Sequence, residues 1–378
     1  MPLFLDDDQE TLVDTVRPFM AEQAPVSHLR RLRDADDPAG FSRDLWRQFG
    51  EMGFTGVLVD EADGGLGLGH VEAGIVLEEI GRNLTPSPFI GTAIGAVEAL
   101  RHGDSGLKQA WLPGIVAGTS VAALAFDEAA RHRPQSVALR AERHGNGFRL
   151  SGTKQFVPFG QEADLLIVSA RTAGDAADEN GVTLFALPRT VPGVSVEAHR
   201  LTDSSFAARI ELDGVELDGG AVIGEVDDGR TVLTRVLACV RAGASSEMVG
   251  VAEGASAMTL DYIKQRKQFG RAIGSYQALQ HRAAHLYSEM EIARAAVLKA
   301  QQSLDSGSKD ADRDVSVAKA MSGMASGLAV REAVQMHGGI GMTDEYDVGF
   351  FMKRQRVLAE LYGDSDFHAD RLAQMAGY

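Results

Sequence analysis

At 378 residues, 44% of them hydrophobic, the chain exceeds what one compact core usually supports, so two or three domains are expected. Its 53 acidic against 37 basic residues leave a net charge of -16, which repels nucleic acid and anionic membrane surfaces and argues against both as partners. The single cysteine, Cys239, excludes an intrachain disulfide; it lies in the apolar run Val236-Leu237-Ala238-Cys239-Val240, where burial as a small hydrophobe and a reducing cytoplasm are expected.

The first residues, Met1-Pro2-Leu3-Phe4-Leu5 before Asp6-Asp7-Asp8, offer neither a basic region nor an apolar stretch long enough for a signal peptide or a membrane span. From Asp8 to about Gly118 apolar residues recur at helical spacing, as in Leu12, Val16, Phe19 and again Val76, Leu77, Ile80. Within this stretch Asp63-Gly64-Gly65-Leu66-Gly67-Leu68-Gly69 lacks the G-x-G-x-x-G spacing of a dinucleotide fingerprint and reads as a flexible loop. Asn83-Leu84-Thr85 before Pro86 and Pro88 reads as a helix end.

Between about 120 and 225 the pattern shifts to short β-type runs, such as Gly147-Phe148-Arg149-Leu150, Leu165-Leu166-Ile167-Val168 and Val182-Thr183-Leu184-Phe185-Ala186. A small sheet or barrel is predicted there. Asp227-Asp228-Gly229 then carries helix-start chemistry, and helical periodicity continues almost to the end, with breaks near Phe269-Gly270, Gly307 and Gly338-Gly339. Ala283, Leu286, Met290, Ala293, Val297 and Ala300 form one apolar stripe at three- and four-residue steps, so a helical bundle is expected. The layout is α+β and multidomain: a helical N-terminal domain over 1–118, a β domain over 119–226 and a C-terminal helical bundle over 227–378. No metal site is expected.

Two segments carry more specific information. Arg266-Lys267-Gln268-Phe269-Gly270-Arg271, followed by Gln277, and Gln335-Met336-His337-Gly338-Gly339-Ile340-Gly341 could each be a plain helix terminus, gathering basic residues and ending at glycine. Both occur in order inside a bundle, after a helical and a β section, and in this arrangement they resemble the flavin-contacting segments of the acyl-CoA dehydrogenases. The resemblance extends over essentially the whole chain, including Glu78-Glu79-Ile80-Gly81-Arg82 and Gly152-Thr153-Lys154.

The resemblance implies the acyl-CoA dehydrogenase fold, with N-terminal helices, a middle β-barrel and a C-terminal four-helix bundle, and FAD bound without a Rossmann fingerprint. It places Arg266 on the pyrophosphate, where a planar guanidinium fork suits bidentate bonds, and Gln268, Phe269, Gln277, Gln335, Gly338 and Gly339 along the cofactor, part of it from a neighbouring subunit. It further implies α,β-desaturation of an acyl-CoA thioester to a 2,3-enoyl-CoA, electrons passed to an electron-transfer flavoprotein, and a homodimer, homotetramer or heterotetramer with a homologous subunit. In such chemistry a carboxylate removes the α-proton, and hydrogen bonds to the thioester oxygen stabilise the enolate; the backbone N–H for that oxygen would belong to Tyr362.

The sequence departs from that pattern at the base. Tyr362 occupies the usual position of the catalytic glutamate, and a phenol with a pKa of about 10 does not replace a carboxylate. The second seat precedes Arg241 and holds Val240. Glu247, on the helical face of Val240 and Ala244, is the remaining candidate, with a structural carboxylate as the equal alternative; Glu360 and Asp364 are weaker candidates. Arg241 positions the acyl chain, balances a carboxylate or joins an interhelical ion pair. The family's Thr-Glu-Pro signature is replaced by Phe126-Asp127-Glu128-Ala129, and the Trp and Thr beside the isoalloxazine by Phe156, which can still cover a ring, and Pro158. Such departures resemble the small subunits of bacterial heteromeric acyl-CoA dehydrogenases, such as that of pimeloyl-CoA dehydrogenase. They leave open unusual substrates (dicarboxylic acyl groups, steroid side chains), a flavin-sharing subunit without its own base, and a flavin oxidase or monooxygenase on the same fold.

Overall fold

The computed structural model describes residues 3–378. Helices α1 (Asp7–Gln23), α2 (Val26–Asp34), α3 (Arg43–Glu51), α4 (His70–Asn83), a π-helical turn Ile90–Ala96 running into α5 (Val97–Leu100), and α6 (Ser105–Val116) come first. Strands β1 (Ala122–Ala125), β2 (Arg140–His144), β3 (Gly147–Pro158), β4 (Leu165–Arg171), β5 (Val182–Pro188), β6 (Val194–Arg200), β7 (Phe206–Leu217) and β8 (Val222–Ile223) follow. The chain closes with α7 (Gly229–Gln265), the small strands β9 (Lys267–Gln268) and β10 (Arg271–Ala272), and helices α8 (Gln277–Asp305), α9 (Ala311–His337), α10 (Val348–Glu360) and α11 (Ser365–Met375). Among the described residues no helix is long and apolar enough to cross a membrane.

Packing groups these elements into two compact units, one of residues up to 31, 70–85 and 241–378, the other of residues 32–69 and 86–240. In the second unit the strands run in the order β6-β7-β3-β2-β4-β5-β8, with β1 parallel to β4. Its core is formed by Leu150, Leu166, Val168, Phe185 and Ile210, all shut off from solvent, because alternate or continuous apolar residues in these strands face one interior. The glycine-rich segment after Asp63 is tied down rather than loose: Leu66 N–H donates to Gly56, Gly67 to Val59 and Leu68 to Val57. Cys239 is fully buried in this unit, and burial pushes its thiol pKa well up.

In the first unit α1 starts with a reciprocal cap, Asp6 Oδ1 accepting from Gln9 N–H (2.9 Å) and Gln9 Oε1 from Asp6 N–H (3.1 Å). The predicted α8 stripe is inward: Leu286, Met290, Ala293, Val297 and Ala300 are buried, with Ala283 at its margin. Helices α4 and α7 approach so closely that a Cβ on Gly81 would lie 2.1 Å from the Glu247 carbonyl and one on Gly250 1.9 Å from the Glu78 carbonyl. A charged lattice ties α4, α7 and α8 together: Arg294 meets Glu78 and Glu253 (3.0 Å), Arg82 meets Glu253 and Glu79 (3.3 Å), and Arg17 meets Glu79 (2.8 Å). Burial pushes the Glu78 carboxyl above its usual range.

Candidate active site

The segment after α7 is a minimal hairpin. Lys267–Gln268 pairs antiparallel with Arg271–Ala272, leaving Phe269 and Gly270 as the two central residues, with φ of 50° and 80°. Two positive φ angles are the mark of a type I′ turn, where Asn, Asp or Gly normally leads. A phenylalanine there is strained, and its ring is 92% exposed. A strained turn that carries an exposed aromatic makes Phe269 a candidate contact for a ligand or partner. The Arg266 guanidinium is exposed and makes no ion pair among the described residues. Gln277 is exposed at the start of α8.

The second sequence-predicted segment reaches the same end of the bundle. Tyr262, one turn before Arg266, stacks on His337 with centroids 4.4 Å apart, and His337 lies 4.8 Å from Tyr346 beyond the glycines. His337 Nδ1 is 2.7 Å from the Ala333 carbonyl, and burial lowers the imidazole pKa. Immediately after it Gly338, at φ 65°, and Gly339 face open space, with nothing within 4 Å of where a Cβ would stand, and Gln335 is exposed. The structure thus brings Arg266, Phe269, Gln335, Gly338 and Gly339 to one end of the unit around a shared aromatic cluster. Open space over glycine backbone beside an exposed guanidinium and an exposed ring fits an extended anionic cofactor of the FAD type.

At the position after α10, Tyr362 is buried and left-handed (φ 61°). Its carbonyl accepts from Arg241 Nε at 3.0 Å and lies 3.3 Å from His368 Nε2. Arg241 therefore serves the backbone of the turn, a role the sequence alone did not disclose. Lys319, 1% exposed, donates to the carbonyls of Leu358 (3.2 Å), Ala359 (3.0 Å) and Gly363 (2.8 Å). Burial, then repulsion from Arg241, lowers the Lys319 pKa to about 7, and burial followed by the Arg241 and Lys319 charges takes His368 to about 2. Glu247 is 2% exposed and its Oε1 accepts from Arg354 Nε (2.7 Å) and Nη2 (2.6 Å). Protonating it would leave the partly buried Arg354 guanidinium without its counter-charge.

In the other unit, Phe156 sits where the β3–β7 register slips between Lys154 and Val157, at φ 50° and 41% exposed. The bulge turns its ring outward. Beneath it Lys154 is fully buried, bound to Glu128 (2.6 Å) and Ser169 Oγ (2.9 Å), with its pKa lowered by burial. Gln155 N–H donates to the Asp127 carbonyl (2.8 Å), so the segment replacing the family signature is bonded to the residue that precedes Phe156. Sequence reasoning passed over Lys319, His368, Arg354 and the Lys154–Glu128 pair. For Lys319 a signal existed, one cation inside the small-residue run Val317-Ala318-Lys319-Ala320.

Comparison with known proteins gives the same family along the chain. Residues 6–119 match the acyl-CoA dehydrogenase N-terminal domain, 126–215 its middle domain and 227–377 its C-terminal domain. The chain is 30% identical to the mitochondrial isovaleryl-CoA dehydrogenase of Solanum tuberosum, over 94% of this chain and 87% of that protein. It is also 30% identical to acyl-CoA dehydrogenase FadE27 of Mycobacterium tuberculosis, over 90% and 87% of the respective chains. Among solved structures, a chain of the ChsE4-ChsE5 complex from Mycobacterium tuberculosis superposes with a TM-score of 0.89 at 26% identity, covering 100% of this chain and 99% of that one. With motifs, fold and relatives in agreement over its length, the chain belongs to the acyl-CoA dehydrogenase family, oxidoreductases that act on acyl-CoA.

Proposed function

We propose that this protein binds FAD and desaturates an acyl-CoA thioester between its α and β carbons, passing the electrons to an electron-transfer flavoprotein. The observation that carries the reading is the meeting of the two flavin-type segments at the Tyr262–His337–Tyr346 cluster, beside the exposed Arg266 and the strained, exposed Phe269. FAD, when bound, supplies the hydride acceptor. Arg266 would meet its pyrophosphate, and Gln268, Phe269, Gln277, Gln335, Gly338 and Gly339 would line it. Tyr362 N–H donates to the thioester oxygen, and Arg241 holds that turn. The purified protein should show the absorption of bound flavin, bleached anaerobically by an acyl-CoA. A colourless protein that gains no flavin on reconstitution would overturn the reading.

A second reading is favoured by the base positions: Val240 and Tyr362 fill both customary seats, and Glu247 is held by Arg354. Here the chain is one subunit of a heteromer, sharing flavin with a homologous chain that carries the base. Glu247→Gln separates the two. Loss of flavin reduction with FAD still bound assigns the base to Glu247; reduction unchanged in the variant, together with a co-purifying homologue needed for activity, assigns it to the partner.

A further inference from the structure

The turn that follows α10 is held by two buried cations. Lys319 Nζ donates to the carbonyls of Leu358, Ala359 and Gly363, and Arg241 Nε to that of Tyr362 between them. The side chains are 1% and 2% exposed. A helix leaves its last carbonyls unpaired and favours positive charge near them, which accounts for Lys319 at Leu358 and Ala359. It does not account for Tyr362 and Gly363, which lie beyond the helix in a left-handed turn with φ of 61° and 103°. Nor does helix capping require two like charges buried close together, an arrangement that opposes itself electrostatically. The turn is also sealed from the other side, since a Cβ on Gly363 would stand 2.4 Å from the Phe367 ring. The peptide that carries the Tyr362 N–H therefore lies between backbone carbonyls tied to the bundle on both sides, at Leu358 and Ala359 before it and at Tyr362 and Gly363 after it.

We infer that Lys319 is a positioning residue which, together with Arg241, presets the Tyr362 amide as a hydrogen-bond donor to the thioester oxygen of the acyl-CoA. The hydrogen bonds of Lys319 Nζ go to backbone carbonyls only, so it acts through the turn. A donor aimed beforehand at the oxygen where charge develops needs no reorganisation during reaction, and losing one such donor costs roughly 100-fold or more in rate. The inference rests on the placement of the thioester at Tyr362 proposed above.

The test uses the FAD-loaded protein with carbonyl-13C isovaleryl-CoA and octanoyl-CoA, reading the thioester C=O stretch by isotope-edited infrared spectroscopy. In the wild type the band should fall on binding, because a hydrogen-bonded carbonyl is weakened. Lys319→Met should lose more than half of that shift and lower kcat/KM at least tenfold, mostly through kcat, while far-UV circular dichroism and flavin content stay unchanged. Arg241→Lys, which keeps the charge but withdraws the donor from Tyr362, should do the same and serves as the readout if Lys319→Met does not fold. A full shift retained in the folded variants overturns the role of Lys319 and Arg241. No shift in the wild type with either thioester overturns instead the placement of the thioester at Tyr362.

Discussion

Single residues carry consequences that can be measured directly. Lys319 is depressed from the ordinary lysine range to about 7 by burial and by Arg241, with Asp364 and Glu360 opposing and His368 adjacent but neutral. Because its folded pKa lies below its unfolded one, the unfolded chain holds more protons between about pH 7 and the ordinary lysine value of about 10.4, and stability from this group grows as pH rises through that window. Its contribution is lost as pH falls through about 7. The difference in denaturation midpoint between wild type and Lys319→Met should therefore move in favour of the wild type as pH rises across that interval, and a difference that stays constant with pH would show that the lysine does not titrate there. Glu247→Gln removes the counter-charge of Arg354, and urea unfolding should report a loss of about 3 kcal/mol, the low end for breaking a buried pair. A loss below about 0.5 kcal/mol would mean that the pair is held only loosely.

At the scale of elements, the crossing of α4 and α7 depends on glycine at two points of backbone contact, Gly81 against Glu247 and Gly250 against Glu78. Gly250→Ala should lower stability by roughly 2 kcal/mol, within the range for overpacking a close contact, even though alanine is the better helix former. Stabilisation by that change, read from thermal or urea unfolding, would refute the close approach. The helices themselves were legible in the sequence, because the α8 stripe and the Asp227-Asp228-Gly229 start are local patterns. The segments around Arg266 and Gly338 were legible as motifs, and Arg241 and Glu247 as positions. What those two residues bind was not, since Tyr362 lies 121 residues from Arg241 and Arg354 107 residues from Glu247. Spacing along one helix carries no information about partners that arrive from another. Nor did the sequence announce the turn at Phe269-Gly270, because its geometry favours residues other than phenylalanine. The glycine-rich stretch after Asp63 read as flexible from composition, whereas its backbone bonds to Gly56, Val57 and Val59 tie it down.

For the whole molecule, a ligand that binds only the folded state raises its stability in proportion to the logarithm of its concentration. If the exposed segments around Arg266 and Gly338 hold FAD, the melting temperature of protein stripped of flavin should climb with added FAD, by the equivalent of about 2.7 kcal/mol at a hundredfold excess over Kd. A midpoint indifferent to FAD would argue against the site. The buried Cys239 offers a second global measurement. As the sole thiol of the chain, with its pKa driven up by burial, it is both shielded and unreactive in the native state. A thiol reagent should therefore leave the folded protein unlabelled and take up one equivalent on denaturation, and prompt labelling of native protein would contradict that burial. The α7 cysteine makes the wild-type chain its own clock: under native conditions, the pace of modification counts how often the interior opens, with no engineered probe.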